Sequence, residues 1–546
     1  MTPAAIRRQC AWGCIATLAM MAMAARAAHA LPAYGPIQVT GNVQSQTLIR
    51  NPDIDKYQFI QNRNTLRVRL DYEWLKDGKA IDAIPVPLIR SSHLFLLYRG
   101  VYDSAYDLAP GGNLRNILGQ PVGSLNDLPS RVRDGLKYEN VLREAFVDLD
   151  FRDVPLSLRL GRQQVVWGES DNFRMLDRAN PLDLTWHQLY ESWDDLRIPL
   201  WMIKALYNVG YVGPLSDAFV ETYWDPGDWV PAKQGFMPDF PWGIPATNPL
   251  TPLFGPPFNY RSLFRSTTLF DQGDYTRNPG GNSQVGVRVS AVTPQGIQLT
   301  LNYFYQRWAG DDGTNYAPVR ALTTRAEINE AKIRQEVPAE FIAPYIHTAG
   351  LSANYSDESY TQTVYRLETI YDFGIPFTDS AKPSPVPLFR GQLYDITRRD
   401  MWKGMVAFDR PTWIRFLNRN STFFLTGQFF WHYLVHHEPT FIGNVDPRVP
   451  SQDTIHEWET IFTLLATTFY AGGSIVPTAS YGLDPVNGFN MYIGWTLDYF
   501  LTNNFIVRVG QNFFVLPGKP PAFEAWSLGG FNRGRSESIL RLTYQF

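Results

Sequence analysis

The sequence contains almost no cysteine, no excess of one charge and no series of long hydrophobic runs. Its two cysteines, Cys10 and Cys14, both lie near the N-terminus, which excludes a disulfide framework for the rest of the chain. With 49 Lys and Arg against 52 Asp and Glu, the net charge is −3, so nucleic acid is not an expected partner. Only residues 10–25 approach the length of a membrane-spanning helix, which excludes a polytopic helical membrane protein.

The N-terminal residues have the pattern of a secretory signal peptide. Arg7 and Arg8 precede the apolar run 10–25, and Ala28 and Ala30 flank His29 as a small-x-small cleavage site. We therefore predict that residues 1–30 are a signal peptide and that residues 31–546 form the mature protein. A single membrane anchor and a slightly earlier cleavage are the alternatives.

Past residue 31, apolar residues recur with a period of two. The clearest segment is 66–74, LRVRLDYEW, whose odd-numbered positions are Arg67, Arg69, Asp71 and Glu73. Because side chains alternate across a strand, one face of this segment is apolar and the other is charged. The charged face meets either bulk water in a soluble sandwich or a wet lumen in a membrane barrel.

The spacing of these alternating segments favours the barrel. We count roughly 17 candidate strands, joined either by short turns or by long loops. The long connections are 104–138, 225–281, 309–355, 374–398 and 434–453. Compact soluble domains rarely carry several such loops, whereas outer-membrane barrels combine short periplasmic turns with long extracellular loops and an even strand number. We expect about 16 strands, with 18 as the alternative.

The C-terminal residues strengthen this interpretation. Leu540, Leu542, Tyr544 and Phe546 share one strand face, and Phe546 is the last residue. This pattern resembles the terminal strand that the outer-membrane assembly machinery recognises. Together with the signal peptide, it predicts an all-β protein: a single transmembrane antiparallel β-barrel in the bacterial outer membrane, in contact with lipid and lipopolysaccharide. The alternative interpretation is a secreted β-rich enzyme.

One internal stretch resembles a known family. Residues 161–170, GRQQVVWGES, are followed by 178–184, RANPLDL. They are similar to the GRQ-x-V-x-WGES … NP-x-D stretch of a proteobacterial family of outer-membrane β-barrels of unknown function within the porin-like superfamily. Gly41 and residues 401–413 fit the same resemblance. It implies a barrel that is frequently associated with uptake or export of organic compounds, and it supplies no substrate.

Residues 161–198 begin as a strand end and continue as a polar and aromatic loop. We expect this loop either to turn inward and narrow the pore through ion pairs or only to anchor itself to the wall. Charged residues of both signs on the inward strand faces either bridge one another or set up a transverse field. The candidate pore residues are Arg67, Arg69, Asp71, Glu73, Arg159, Arg162, Trp167, Glu169, Arg288, Arg366 and Glu368.

The loop 225–281 is rich in proline and aromatic residues. We expect this loop either to fold over or into the pore, where it would offer apolar surface to hydrophobic solutes, or to form a packed extracellular cap. The candidate plug residues are Phe236, Phe240, Trp242, Phe254 and Phe258.

These features predict a porin-like channel for passive or loop-gated passage of small organic solutes, hydrophobic ones included. The alternative is a non-conducting barrel that serves as a structural or partner component of an envelope transport system. The candidate protein partners are further copies of this chain, in a homotrimer, and an envelope transporter. No histidine lies in a nucleophile motif, and His432, His436 and His437 are expected to be solvated, so we predict no enzyme activity, no metal and no cofactor.

Overall fold

The structure is a computed structural model of the chain. It describes residues 36–53, 56–81, 83–108, 137–183, 190–230, 279–308, 319–321, 324–326, 329, 339–341, 343–383, 394–442, 455–515, 517 and 536–546. Within these ranges, no helix combines the length and the apolar character that crossing a membrane requires.

Eighteen long strands follow one another along the chain, and each is antiparallel to the next. They are β1 (Ile37–Asp53), β2 (Lys56–Lys76), β3 (Ile89–Asp103), β4 (Tyr138–Phe151), β5 (Leu156–Gln163), β6 (Leu200–Val212), β7 (Leu215–Asp225), β8 (Gln284–Val292), β9 (Gln298–Arg307), β10 (Tyr345–Asp357), β11 (Thr363–Pro383), β12 (Tyr394–Thr412), β13 (Phe423–Leu434), β14 (Trp458–Thr467), β15 (Ile475–Asp484), β16 (Asn490–Phe500), β17 (Phe505–Val515) and β18 (Glu537–Gln545).

The remaining described elements are short. Strands Lys79–Ala80 and Ile84–Pro85 form a small hairpin after β2, Val319–Ala321 pairs with Ala339–Phe341, and Phe441–Ile442 pairs with β11. One-turn helices span Ala105–Leu108 and Trp193–Leu196, and 3-10 turns span Pro279–Asn282 and Ala471–Gly473.

The sheet closes on itself. β18 pairs with β1 in a register that runs from Asn42 opposite Gln545 to Arg50 opposite Glu537. Closure removes both sheet edges, so the wall is a complete antiparallel barrel whose backbone groups are paired within the wall.

The barrel has eighteen strands, so the preference for sixteen was wrong and the alternative was correct. The strand that sequence reasoning missed is β10, Tyr345–Asp357, most of which falls inside the predicted loop 309–355. Its inward positions hold small polar residues such as Thr348 and Ser352, which pair with β9 and β11 in full register. Small Ser, Thr, Gly and Ala side chains weaken the alternation of hydrophobicity, which is why this strand was read as loop.

The two ends of the barrel differ. Connections 152–155, 213–214, 293–297, 358–362 and 501–504 lie at the same end as the start of β1 and the end of β18; we call this the short-turn end. Connections 104–137, 164–199, 226–283 and 308–344 lie at the opposite, long-loop end, where the short connections 54–55 and 485–489 are the exceptions. This asymmetry is typical of outer-membrane barrels.

The outer face of the wall is apolar. Trp201 and Leu301 point outward and remain 52% and 61% exposed. On β2, Leu66 lies on this outer face, while Arg67 on the next position points inward to an ion pair. An exposed belt of large apolar side chains around a polar interior is the reverse of a soluble protein and identifies a wall that faces lipid.

The closing seam depends on one glycine. The backbone N–H of Gly41 donates to the carbonyl of Phe546, and the N–H of Phe546 donates to the carbonyl of Gly41, at 2.9 and 3.0 Å. A Cβ at Gly41 would lie 2.6 Å from the Phe546 ring and 2.4 Å from the carbonyl oxygen of Arg67. Only glycine leaves room for the terminal ring at this point.

Candidate functional site

The connection between β5 and β6, residues 164–199, enters the barrel; we call it the lumen segment. Its described parts are 164–183 and 190–199. Asn172 Nδ2 donates to Gln428 Oε1 on β13 at 2.8 Å, while Asp195 pairs with Arg67 on β2 at 2.8 Å. The lumen segment therefore reaches distant parts of the wall and crosses the interior.

A dry apolar cluster fixes one side of the lumen segment. Trp167 is 4% exposed, and its ring centroid lies 5.3 Å from Tyr223 and 5.2 Å from Phe304. Phe173 packs edge-on against Phe430 at 5.0 Å. These contacts bury the segment against β7 to β14 and fill that side of the lumen.

Asn180 explains the Asn-Pro part of the family-like stretch. Its Oδ1 accepts from the N–H of Val165 at 2.7 Å, and its Nδ2 donates to the carbonyls of Gln163 and Ile198 at 3.1 and 2.9 Å. The side chain is fully buried. One amide thus ties together the entry and the exit of the lumen segment, and a carboxylate could not replace its NH2 group.

Three predicted residues, Glu169, Arg366 and Glu368, meet where the lumen segment contacts β11. The N–H of Glu169 donates to Glu368, which also accepts from the N–H of Leu176 at 3.3 Å. Arg366 donates to the Glu169 carbonyl and pairs with Asp171 at 2.8 Å. Glu368 is therefore an acceptor for two main-chain donors, and Arg366 a donor to the same turn.

A buried charge cluster lies next to this contact. Arg178 of the lumen segment pairs with Asp372 on β11, and Lys403 on β12 lies 3.0 Å from the other carboxylate oxygen. Asp372 and Lys403 are 0% exposed. Burying these charges costs desolvation free energy, and removing either the carboxylate or a cation leaves an uncompensated buried charge, which is strongly destabilising. The cluster therefore holds the segment in one position.

Arginines of the opposite wall hold the main chain of the lumen segment. Arg143 donates to the carbonyls of Asp194 and Arg197 at 2.8 and 2.6 Å. Arg99 donates to the carbonyl of Asp195 at 3.0 Å, and Arg541 on β18 donates to that of Tyr190. These contacts use backbone acceptors, so they constrain the path of the segment more than its side chains.

Between the lumen segment and strands β1 to β4 lies a cavity of about 480 Å³. Its lining residues are Asn42, Arg67, Leu97, Arg99, Arg143, Glu144, Gln164, Val166, Ser192, Asp194 and Asp195. Burial would raise the pKa of Asp195, but the charges of Arg67 and Arg99 outweigh burial and hold that pKa below its usual range. Asp195 is therefore ionised at neutral pH.

The interior becomes more open toward the short-turn end. Arg69 pairs with Asp71 at 2.5 Å, and Arg159 pairs with Asp148 at 2.6 Å, and these side chains are only partly buried. Glu73 lies nearer the rim and pairs with Lys76 at 3.7 Å. We call this more open part of the lumen the vestibule.

The structure places Arg162 differently from the sequence prediction. It pairs in register with Trp201, whose side chain is on the outer face, and directly opposed residues point to the same side. Arg162 donates to the carbonyls of Pro199 and Leu142, each at 3.1 Å. Because alternation puts it one position after inward Gly161, Arg162 braces the outside of the wall and is not a pore residue.

The other predicted residues fall into three groups. Arg288 pairs with Glu221 and lies 5.4 Å from the Trp167 ring, so it supports the lumen segment from β8. The plug candidates Phe236, Phe240, Trp242, Phe254 and Phe258 and the cleavage residues Ala28 and Ala30 lie outside the described residues. Leu540, Leu542 and Tyr544 oppose β1 in the closing seam.

Sequence reasoning missed Arg99, Arg143, Asp195, Asp372 and Lys403. A signal existed for Arg143, because Arg143 and Glu144 are two successive charges that interrupt the alternation of β4. Such a slip indicates a β-bulge. The others became visible only once the lumen segment was placed against the wall.

These observations define the class: a transmembrane, porin-like β-barrel with a polar lumen that an inserted segment partly fills. In the part of the chain that the structure describes, no group of three or more His, Cys, Asp or Glu side chains could hold a metal ion.

The chain belongs to the family described as "Protein of unknown function (DUF1302)", whose profile matches residues 11–505. A comparison with curated proteins finds no match. Among solved structures, the chain is similar to Acinetobacter baumannii OccAB2, with 9% identity, a TM-score of 0.42, and 94% of this chain and 98% of that chain covered. It is similar to Pseudomonas aeruginosa OccK5 (OpdH), with 9% identity, a TM-score of 0.41 and the same coverage of 94% and 98%. It is also similar to Pseudomonas aeruginosa OccK2 (OpdF), solved in complex with glucuronate, with 8% identity, a TM-score of 0.42 and coverage of 94% and 98%.

Proposed function

We propose that the protein is an outer-membrane channel through which small organic solutes diffuse past the lumen segment. The observation that carries this proposal is the asymmetry of the lumen. The segment packs without solvent against β7 to β14 and leaves a cavity of about 480 Å³ against β1 to β4. A solute that enters the vestibule meets its narrowest passage there.

The constriction carries both signs of charge. Arg67, Arg99 and Arg143 project from the wall, and Asp194 and Asp195 project from the lumen segment. Opposed charges of this kind create a transverse field and give little preference for simple cations or anions. We therefore expect selection by size and by hydrogen bonding, with no strong ion selectivity.

The route to the membrane is part of the proposal. Residues 1–30 would direct export to the periplasm, with cleavage after Ala30. The assembly machinery would recognise the strand that ends at Phe546, and the apolar outer face would then meet lipid and lipopolysaccharide. A homotrimer and an envelope transporter remain the proposed protein partners, and no catalytic step is proposed.

Single-channel recording in planar bilayers tests the channel. Val166 lines the cavity and is 47% exposed, so Val166→Trp should reduce conductance by about half by filling the constriction. Val166→Ala is the matched control and should conduct at least as well as the unmodified barrel. A correctly folded barrel that passes no ions in either form would refute the channel.

One observation favours the alternative of a non-conducting barrel. The cluster of Arg178, Asp372 and Lys403 lies buried beneath the lumen segment, as a fixed plug would require. If the unmodified barrel is ion-tight and replacing residues 168–176 by a short Gly-Ser linker opens it, the segment is a plug and the structural or partner role is preferred.

A further inference from the structure

Arg143 occupies an irregular position on β4. The register between β3 and β4 shifts there, with Leu97 opposite Glu144 and Tyr98 opposite Leu142, so Arg143 is the extra residue of a β-bulge. A bulge turns a side chain away from regular alternation. Here it directs Arg143 and Glu144 into the same cavity.

The guanidinium of Arg143 has unused donors at this cavity. Arg143 is 5% exposed, and its Nη2 donates to the carbonyls of Asp194 and Arg197. Within the described residues, no carboxylate lies within ion-pair distance of it. By contrast, Arg67 is paired with Asp195, and Arg99 is paired with Glu139 at 2.7 Å. A buried cation whose Nε and Nη1 are free can donate hydrogen bonds from both atoms to an anionic group.

Apolar surface lies beside this cation. Leu97 and Val166 line the cavity with Arg143. Toward the short-turn end, Phe95 and Phe146 stack on each other with centroids 4.7 Å apart, and the guanidinium groups of Arg69 and Arg159 lie over these rings, outside the cavity lining. Leu97 and Val166 thus form a short apolar strip next to a free guanidinium, which suits a solute with one anionic end and a compact hydrophobic body.

Acidic residues limit the charge that the cavity accepts. Glu144 and Asp194 border it together with Asp195. A second negative charge on a solute would face these carboxylates, so a dianion is disfavoured by like-charge repulsion.

We propose that this cavity is a binding subsite for small organic monocarboxylates. The carboxylate accepts hydrogen bonds from Arg143, and the apolar body contacts Leu97 and Val166. This inference rests on the proposed channel function and names the class of solute that the channel binds at its constriction.

Isothermal titration of the detergent-solubilised barrel with sodium benzoate tests the subsite directly. Benzyl alcohol, which lacks the charge, and phthalate, which carries two carboxylates, are the matched ligands. We expect benzoate to bind at least about tenfold more tightly than either, since a charge-assisted hydrogen bond is worth that factor. Equal binding of benzyl alcohol or tighter binding of phthalate would overturn the proposal.

Two variants locate the site. Arg143→Gln should weaken benzoate about tenfold or more, whereas the double variant Arg508→Gln, Asp498→Asn removes a lumen ion pair elsewhere, on β16 and β17, and should leave benzoate affinity unchanged. If Arg143→Gln does not fold, Leu97→Asn decides, because it keeps the cation and removes apolar contact. Unchanged benzoate affinity in the folded variant tested overturns the proposal.

The bilayer recordings separate this inference from the channel itself. Benzoate binding that depends on Arg143 in an ion-tight barrel would support the subsite and refute the channel. Ion conduction without benzoate binding would refute the subsite and leave the channel intact.

Discussion

Trp167→Ala probes how firmly the lumen segment is held in the barrel. The indole is 4% exposed and packs on Tyr223 and Phe304, and Gly286 leaves the space that its ring occupies, since a Cβ there would lie 3.0 Å from it. Among the described residues, its N–H has no hydrogen-bond acceptor. The contribution of this side chain is therefore packing.

Truncation of a buried tryptophan costs about 3–5 kcal/mol. The strand ladders of the wall do not include Trp167, so the loss falls on docking of the lumen segment and not on the barrel. At about 1.4 kcal/mol per factor of ten, the undocked population should rise by roughly two to four orders of magnitude. The unfolding midpoint of the wall should change little.

Limited trypsin digestion reads out undocking. Arg174 lies buried within the docked segment and is shielded from protease, so cleavage there should be much faster in Trp167→Ala than in the unmodified protein. Trp167→Phe keeps a ring and loses no hydrogen bond, so it should digest nearly as slowly as the unmodified chain. Trp495→Ala removes an outward-facing ring and controls for a general effect of tryptophan loss. Equal digestion rates for Trp167→Ala and the unmodified protein would refute the packing argument.

Further predictions concern the seam, the charge cluster and the external loop. Gly41→Val should lower the free energy of unfolding by an overpacking cost of about 1–3 kcal/mol and so lower the thermal midpoint. Adding Phe546→Ala should restore part of this stability, and an unchanged midpoint in the single variant would contradict the steric argument. Deleting Phe546 should reduce the amount of barrel recovered in outer-membrane fractions, and normal insertion would count against its role in assembly. Asp372→Asn removes the carboxylate shared with Arg178 and should cost about 3–5 kcal/mol of segment docking, seen as faster trypsin digestion. Deleting 236–258 should raise conductance in planar bilayers, and unchanged conductance would reject a plug.

Matched variants accompany these tests. Val39→Ala changes the same outer face of β1 as Gly41 without filling the space beside the terminal ring, so it should leave the midpoint nearly unchanged. Asp498→Asn removes a carboxylate from a more exposed pair in the lumen and should not accelerate digestion of the lumen segment.

Strand content was readable wherever alternation was strong. Residues 66–74 alternate without a break, and they form the C-terminal half of β2 with the apolar side chains outward and the charged ones inward, as predicted. The prediction missed β10 because its side chains are small and polar at most inward positions. Its backbone nevertheless pairs as completely as that of its neighbours. Hydrophobic periodicity depends on a difference in polarity between alternating side chains, whereas strand pairing depends on backbone hydrogen bonds. A strand with small polar side chains therefore pairs fully without showing the periodicity.

The candidate site was predictable only in part. Glu169, Arg366 and Glu368 were named from inward positions and a family-like stretch, and the structure brings them together. Asp372 and Lys403 carry no local signal, because their environment is created by a segment that approaches from roughly 200 residues away in sequence, as the contact between Arg178 and Asp372 illustrates. Arg162 shows the converse, a charged residue in a conspicuous stretch that the strand register places outside.

The sequence by itself predicted a transmembrane barrel with one apolar face, because segments that alternate with a period of two, joined by short turns on one side and long loops on the other, suit a wall between lipid and a wet lumen. The scarcity of cysteine and of long apolar runs belongs to that same pattern. Only the tertiary structure decided the strand number, the outward position of Arg162 and the enclosure of Arg143 beside an apolar strip. These depend on register and on the path of the lumen segment, which arise from contacts between residues far apart in the chain and leave no periodic trace in it.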